Sequence, residues 1–212
     1  MATPKGIAAG TKGVADDKRG RILHAAMETF RQHGFAATTT LEIATRARVS
    51  KRELYALVGN KQEMLIACIT ERTERLQAPA DLPVPRDREA VGNVLAEFGT
   101  QLLREVSEPT VVAVFRLAIA EATHAPQVAQ ALDSIGRETG RAALRQIMAR
   151  AQASGLLDGR PVELAEQFGA LLWGDLMLGL LLGVTERPSV RALAGRAHNA
   201  ARAFLQLHPA PS

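Results

Sequence analysis

The sequence predicts an all-α protein of nine helices, on three observations. Ala, Leu, Arg and Glu abound while aromatic residues make up only 4% of the 212, a composition that favours helix over sheet. Apolar residues recur at three- and four-residue steps along most of the chain, and no stretch alternates as a strand does. Pro109, Pro126, Pro161 and Pro188 each stand where such a pattern begins, the position at which a missing N–H costs least.

Residues 1–16 combine Gly, Pro and Lys without periodicity and are expected to form a disordered basic tail. From Asp17 the pattern changes: Ile22, Leu23, Ala26, Met27 and Phe30 line one face of a helix that stops at Gly34. Three helix-start signals follow in close succession. Thr39-Thr40-Leu41-Glu42, Ser50-Lys51-Arg52-Glu53 and Asn60-Lys61-Gln62-Glu63 each place a capping residue three before a Glu. In such a box the cap's oxygen accepts a helix N–H and the Glu reaches back to the cap's own N–H. Two very short helices and a longer fourth one, Lys61 to Gln77, result. Pro79, Pro83 and Pro85 in Ala78–Pro85 then break the pattern and mark a joint. Helical patterns resume over Asp87–Val106, Pro109–Ala122, Pro126–Ser154 and Pro161–Val184, and the last runs from Pro188 to Gln206.

The formal net charge of +4 is unevenly placed. Residues 1–61 hold 11 Lys and Arg against 5 Asp and Glu, and the rest of the chain holds 15 against 17. The excess positive charge therefore lies in the first third, as at a nucleic-acid-binding end. Cys68, the single cysteine, excludes an internal disulfide and fits a reducing compartment. With no apolar stretch in residues 1–20 to drive export, a cytoplasmic location is expected. His24, His33, His124, His198 and His208 lie too far apart to suggest a metal site, and no cofactor is expected. Phe168–Val184 is the one membrane candidate. Gly169, Gly174, Gly179, Gly183 and Asp175 interrupt it, so a buried core or interface helix is the expectation. No glycine-rich phosphate loop, nucleophile elbow or Ser/His/Asp arrangement supports an enzyme.

The segment Thr39–Val58 has the anatomy of a helix-turn-helix. Leu41, Ile43, Ala44 and Ala47 supply the inward face of its first helix, Arg48-Val49-Ser50 the turn, and Leu54, Leu57 and Val58 the anchors of the second. The second helix presents Ser50, Lys51 and Arg52 at its start and Tyr55 one turn on. Those are the positions that meet base edges when such a helix enters the major groove. Glu53 has two readings: cap of its own helix, or acceptor of a cytosine amino group.

From Gly20 to about Ile69 the chain resembles the DNA-binding domain of the TetR family. The likeness runs through Ala25-Ala26, Phe30, Gly34-Phe35, Thr38-Thr39, Glu42-Ile43-Ala44, Ala47, Val49-Ser50, Leu54-Tyr55 and Lys61-Gln62-Glu63-Met64-Leu65. The resemblance implies a three-helix DNA-binding domain over 17–66 and an effector-binding and dimerisation bundle over 67–208. It implies Thr39 on phosphate, Lys51, Arg52 and Glu53 toward the groove, Tyr55 on phosphate, and Lys61 pinning the fourth helix against DNA. With Thr40, Arg48 and Ser50 these form the candidate DNA-contacting set. Arg48 stands where the family usually has a turn glycine and is expected to take a left-handed conformation, costing about 1 kcal/mol or more. Arg52, Glu53, Leu57 and Val58 also depart from the family pattern and suggest an unusual operator.

In the second half, Phe115–Ala122 followed by Pro126-Gln127-Val128 is similar to the AefR-like branch. The resemblance implies a homodimer on an inverted-repeat operator, released by a small apolar effector. The four glycines of Phe168–Val184 would let a partner's helix approach closely. Phe98 with Leu102, Phe115 with Ile119, and Trp173 with Met177 are i,i+4 pairs able to line an apolar cavity, or to pack an ordinary core. Arg116, Glu121, His124 and Asp175 are the polar groups that could orient a ligand there, or could simply be paired or at the surface.

Overall fold

The structure, a computed structural model, describes residues 8–73 and 85–210, with side chains from Asp16 onward in the first helix and through Glu71 in the fourth. Among the described residues the chain is helical throughout, with no strand. The helices are α1 (Ala8–His33), α2 (Thr40–Ala47), α3 (Lys51–Leu57), α4 (Lys61–Thr73), α5 (Arg88–Val106), α6 (Pro109–Ala120), α7 (Pro126–Ala131), α8 (Glu138–Ala153), α9 (Pro161–Trp173), α10 (Leu176–Leu182) and α11 (Val190–Leu207). Two of the nine expected helices are subdivided. A π-helical turn, Leu132–Arg137, joins α7 to α8. Gly174, at φ 45 and ψ −126, breaks the next one, and α9 and α10 are bent by 54° across it. Helix α1 begins at Ala8, so 8–16 are helix where a tail was expected. Ala8 and Ala9 favour helix, and no proline follows Pro4 until Pro79. The Pro-rich joint, apart from Pro85, and the expected end of α4 at Gln77 lie outside the described residues.

Two compact units form. Among the described residues, those up to Glu71 associate with Leu117–Leu132, and those from Arg72 to Arg116 with those from Asp133 onward. The first unit is therefore larger than the expected 17–66, since a stretch from the middle of the chain joins it. Its core is built by α1 packing on α2 and α3, with Ile22, Phe30, Ile43, Leu54, Met64 and Leu65 fully buried. Phe30 and Phe35 stack with ring centroids 5.2 Å apart. Leu41, expected to face inward, is 63% exposed; Ile43, Ala44 and Ala47 already fill that face.

In the second unit α11 lies along α5 and α9, and α8 packs on α9. Leu95, Leu103, Met148, Phe168, Leu172 and Phe204 are fully buried. Gly99 permits that closeness, since a Cβ there would stand 3.1 Å from Leu172 Cδ1 and 3.3 Å from Ala197 Cβ. Arginines satisfy the carbonyls that helix ends leave orphaned. Arg88 donates to Leu156, Leu205 and His208 carbonyls. Arg196 covers Leu172 and Trp173 at the α9 break, and Arg116 covers Leu180 and Leu181 at the end of α10.

Three of the four glycines in the α9–α10 stretch stand close to this chain's own side chains. A Cβ at Gly174 would lie 2.7 Å from Arg196 Nη2, one at Gly179 2.3 Å from Thr185 Oγ1, and one at Gly183 3.3 Å from Arg116 Nη2. Gly169 alone of the four has open space. No single described helix is long and apolar enough to cross a membrane.

Candidate nucleic-acid interface

The first two capping signals build the helix-turn-helix. Thr39, extended at φ −108, accepts the Glu42 N–H at 3.2 Å and opens α2. Glu42 does not close the box, because its carboxylate lies 3.1 Å from His33 Nε2. Thr39 thus acts as an acceptor, which leaves its O–H to donate. The turn residue Arg48 sits at φ 56 and ψ 46, the only positive φ outside glycine among the described residues. That conformation lets Val49 N–H reach the Ala44 carbonyl at 3.0 Å and reverses the chain within three residues.

Helix α3 carries the complete box. Ser50 Oγ accepts the Glu53 N–H at 3.1 Å, while Glu53 Oε2 accepts both the Ser50 N–H and its hydroxyl at 2.9 Å. Glu53 Oε1 accepts from Lys18 Nζ at 2.6 Å. The Lys18 hydrogen bond, reinforced by the Ser50 N–H and hydroxyl, lowers the Glu53 carboxyl to about 2. Of the two readings of Glu53, the cap is the one this geometry favours, since both oxygens are committed within the chain. The Ser50 hydroxyl is committed with it. Nothing in the spacing of Lys18 and Glu53, 35 residues apart, signalled the pair.

What α3 leaves outward is cationic and aromatic. Lys51, Arg52 and Tyr55 are exposed. Lys51 Nζ lies 5.9 Å from the centroid of the Tyr55 ring, and the Tyr55 hydroxyl is 3.3 Å from Thr40 Oγ1. Thr40, Lys51 and Tyr55 therefore form one patch bridging the starts of both short helices, with exposed Arg52 next to Lys51 on α3. Leu54, on the opposite side of α3, is fully buried and anchors it.

Lys61 is engaged within the chain. Its ammonium donates to the carbonyls of Phe35, Ala36 and Thr38 at 2.7, 3.1 and 3.1 Å, and lies 4.6 Å from the centroid of the Phe35 ring. It holds the α1–α2 connection, and the third capping box orients it: Asn60 Oδ1 accepts the Gln62 and Glu63 N–H groups while Glu63 Oε2 takes the Asn60 N–H at 2.7 Å.

Among the apolar candidates, Phe98 and Leu102 are buried in the core of the second unit, and Phe115, Trp173 and Met177 pack against it. Ile119 is 61% exposed and does not line that core with Phe115. His124 is exposed as well. The Arg116 guanidinium is occupied by the α10 carbonyls, Glu121 by backbone N–H groups of the first unit, and the Asp175 side chain is 97% exposed. These polar groups are spent on the fold or on solvent.

A capped two-helix unit with an αL turn and a basic, aromatic outer face defines a helix-turn-helix DNA-binding protein. Residues 22–68 match the family described as bacterial regulatory proteins, tetR family. Residues 93–208 match the AefR-like transcriptional repressor C-terminal domain. The chain belongs to the TetR family of transcription regulators, with a C-terminal domain of the AefR-like group. Among solved structures, the flavonoid-responsive regulator FrrA is 30% identical, with a TM-score of 0.74 over 92% of this chain and 98% of that one. A TetR regulator from Agrobacterium tumefaciens is 27% identical, with a TM-score of 0.74 over 91% and 95%. The transcriptional activator FasR of Mycolicibacterium smegmatis is 32% identical over 148 residues, 63% of this chain and 65% of that protein.

Proposed function

We propose that the protein acts in the cytoplasm as a homodimeric repressor that binds an inverted-repeat operator and is released by a small apolar effector. The observation that carries the DNA reading is the outer face of α3: Lys51, Arg52 and Tyr55 are exposed while Ser50 and Glu53 are consumed in holding them there. Arg is the side chain best suited to a bidentate guanine contact, and Lys51 and Tyr55 suit phosphate. Exposed Leu178, Leu182 and Val184, at 60%, 67% and 78%, form an apolar run at the end of the α9–α10 pair that suits a second copy. Phe98, Leu102, Phe115, Trp173 and Met177 are the side chains around which an apolar effector would be accommodated, and the flavonoid response of FrrA favours an aromatic one.

The test is duplex binding by the full chain. A sequence enriched from a randomised duplex pool should be an inverted repeat, with half-sites about one helical turn apart. Its affinity should fall steeply as salt rises, through release of counterions from phosphate. Titration with flavonoid-type effectors should change Trp173 fluorescence in parallel with DNA release. A ten-fold release requires the effector to prefer the low-affinity state by about 1.4 kcal/mol. An enriched site lacking two-fold symmetry would overturn the dimer reading. Activation is the second reading, favoured by the 32% identity to FasR. A reporter behind the enriched site, silenced or raised by the wild-type protein, separates the two.

A further inference from the structure

The short connection between α1 and α2 takes much of its backbone hydrogen bonding from side chains outside it. Gly34 takes φ 79 at the end of α1, and α2 does not begin until its cap at Thr39. Between them lies the buried Phe35 N–H. It is met by Glu121, which follows the end of α6 and is only 9% exposed. Glu121 Oε1 accepts the Phe35 N–H at 2.9 Å and the Ala36 N–H at 3.2 Å. The carbonyls of the same two residues, with that of Thr38, go to Lys61. Phe35 and Ala36 are thus gripped through their N–H groups by one side chain and through their carbonyls by another. The fit at Gly34 is close: a Cβ there would approach Glu121 Oε1 to 3.1 Å.

We propose that Glu121 is a positioning residue for DNA reading: it sets the α1–α2 connection, hence the start of α2 and the presentation of α3. The proposal rests on the DNA-binding function above and adds a residue more than sixty positions beyond the recognition helix. Three features support a positioning role over simple burial of a polar group. Both N–H bonds converge on one carboxylate oxygen. They hold Phe35 and Ala36, in the segment that leads into the α2 cap at Thr39. The Thr38 hydroxyl, which donates to the Gly34 carbonyl at 2.7 Å, locks the other end of the same segment. Freeing the Glu121 end leaves two N–H groups to find water, and a buried donor left without a partner is costly.

Because one oxygen takes both bonds, the chemistry predicts an ordering of variants. Glu121→Gln keeps a carbonyl oxygen at the same reach and should bind a duplex enriched by the wild type with near wild-type affinity. Glu121→Asp keeps the charge but withdraws the oxygen by one methylene, and Glu121→Ala removes it. Both should bind about ten-fold more weakly or worse, equivalent to about 1.4 kcal/mol. Amide hydrogen exchange supplies a readout independent of DNA: Phe35, Ala36 and the first turn of α2 should exchange faster in the Asp and Ala variants and be protected in Gln. Should Ala fail to fold, Asp against Gln still decides. The reverse ordering, Asp near wild type and Gln weak, would show that charge rather than placement matters and overturns the proposal. So does unchanged affinity or unchanged exchange at Phe35 and Ala36 in the Asp variant. A pool from which the wild type itself enriches nothing overturns the DNA reading instead.

Discussion

In both units side chains satisfy the backbone groups at helix ends, over very different sequence distances. In the DNA-binding unit Thr39, Ser50 and Asn60 cap helices through partners three residues on. In the bundle Asp87 and Ser189 cap in the same local way, but arginines also cover carbonyls 23 to 120 residues away, as with Arg196 on Trp173 and Arg88 on His208. The chemistry is alike: an orphan backbone group at a helix end is satisfied by a side chain. A local cap can be replaced by water, because its helix end is near the surface. A remote arginine both closes a helix end and ties two helices together, so its loss is felt in packing.

The largest effect is therefore expected at the α9–α10 break. Gly174 occupies a backbone conformation that residues with a Cβ avoid, and its missing Cβ leaves room for Arg196. Gly174→Leu should cost on the order of 3 kcal/mol or more, from backbone strain and displacement of the guanidinium together. Urea unfolding would measure it. Gly169→Leu, with nothing within 4 Å of a Cβ, should leave monomer stability near wild type. A Gly174 variant as stable as the Gly169 one would show that the break is not a stress point.

Next comes the reading face. Arg52→Ala with Tyr55→Ala should reduce duplex affinity by about a hundred-fold, since a good bidentate base contact alone contributes about 1–3 kcal/mol. Both residues are exposed and outside the core, so helicity and thermal stability should barely change. Undiminished affinity would move the interface off α3.

Legibility in the sequence follows the distance to the partner, whichever unit holds it. The three caps, the left-handed Arg48 and the joint of two short helices could be read because their partners lie within a few residues. Lys51, Arg52 and Tyr55 could be placed outward for the same reason. The tie of Glu53 to Lys18, the seating of Lys61 on three carbonyls and the return of Glu121 to Phe35 could not, because each depends on a tertiary approach that no spacing encodes. Leu41 misled through periodicity: a helix as short as α2 has few inward positions, and Ile43, Ala44 and Ala47 took them. The split of Pro161–Val184 shows the limit from another side. Four glycines in an apolar run can mean room for a partner or a backbone break, and at Gly174 the break won.

Arg48 offers a smaller test, in which backbone and side chain pull apart. Its left-handed conformation costs about 1–2 kcal/mol relative to glycine, partly offset by the greater freedom of an unfolded glycine. Arg48→Gly should therefore raise the unfolding free energy by about 0.5–1 kcal/mol. If the guanidinium also meets phosphate, affinity for the duplex should fall in the same variant and the salt slope should shrink by about one. Stability and affinity would then move in opposite directions. A destabilised Arg48→Gly would mean that the side chain contributes more to the turn than its backbone costs.

The smallest effect concerns Glu53 and its pH range. The Lys18 and Ser50 bonds lower its carboxyl from an ordinary 4.5 to about 2. A depressed acid contributes stability that is fully present above its unfolded value and is lost as pH falls through the folded one. The α3 cap should therefore hold at neutral pH and weaken between 4.5 and about 2. Its carboxylate is solvent-facing, so screening keeps the contribution to global stability small, and a local probe is the better one. The Ser50 amide, which donates to Glu53 Oε2, should shift in a nitrogen–proton correlation spectrum with a midpoint near 2. Lys18→Met removes the largest cause of the shift, so the midpoint should climb toward the ordinary carboxylate value while the Ser50 bonds keep it from arriving there. A wild-type midpoint no lower than that of Lys18→Met would mean that Lys18 does not hold Glu53 in solution. The outer face of α3 would then rest on its capping box alone.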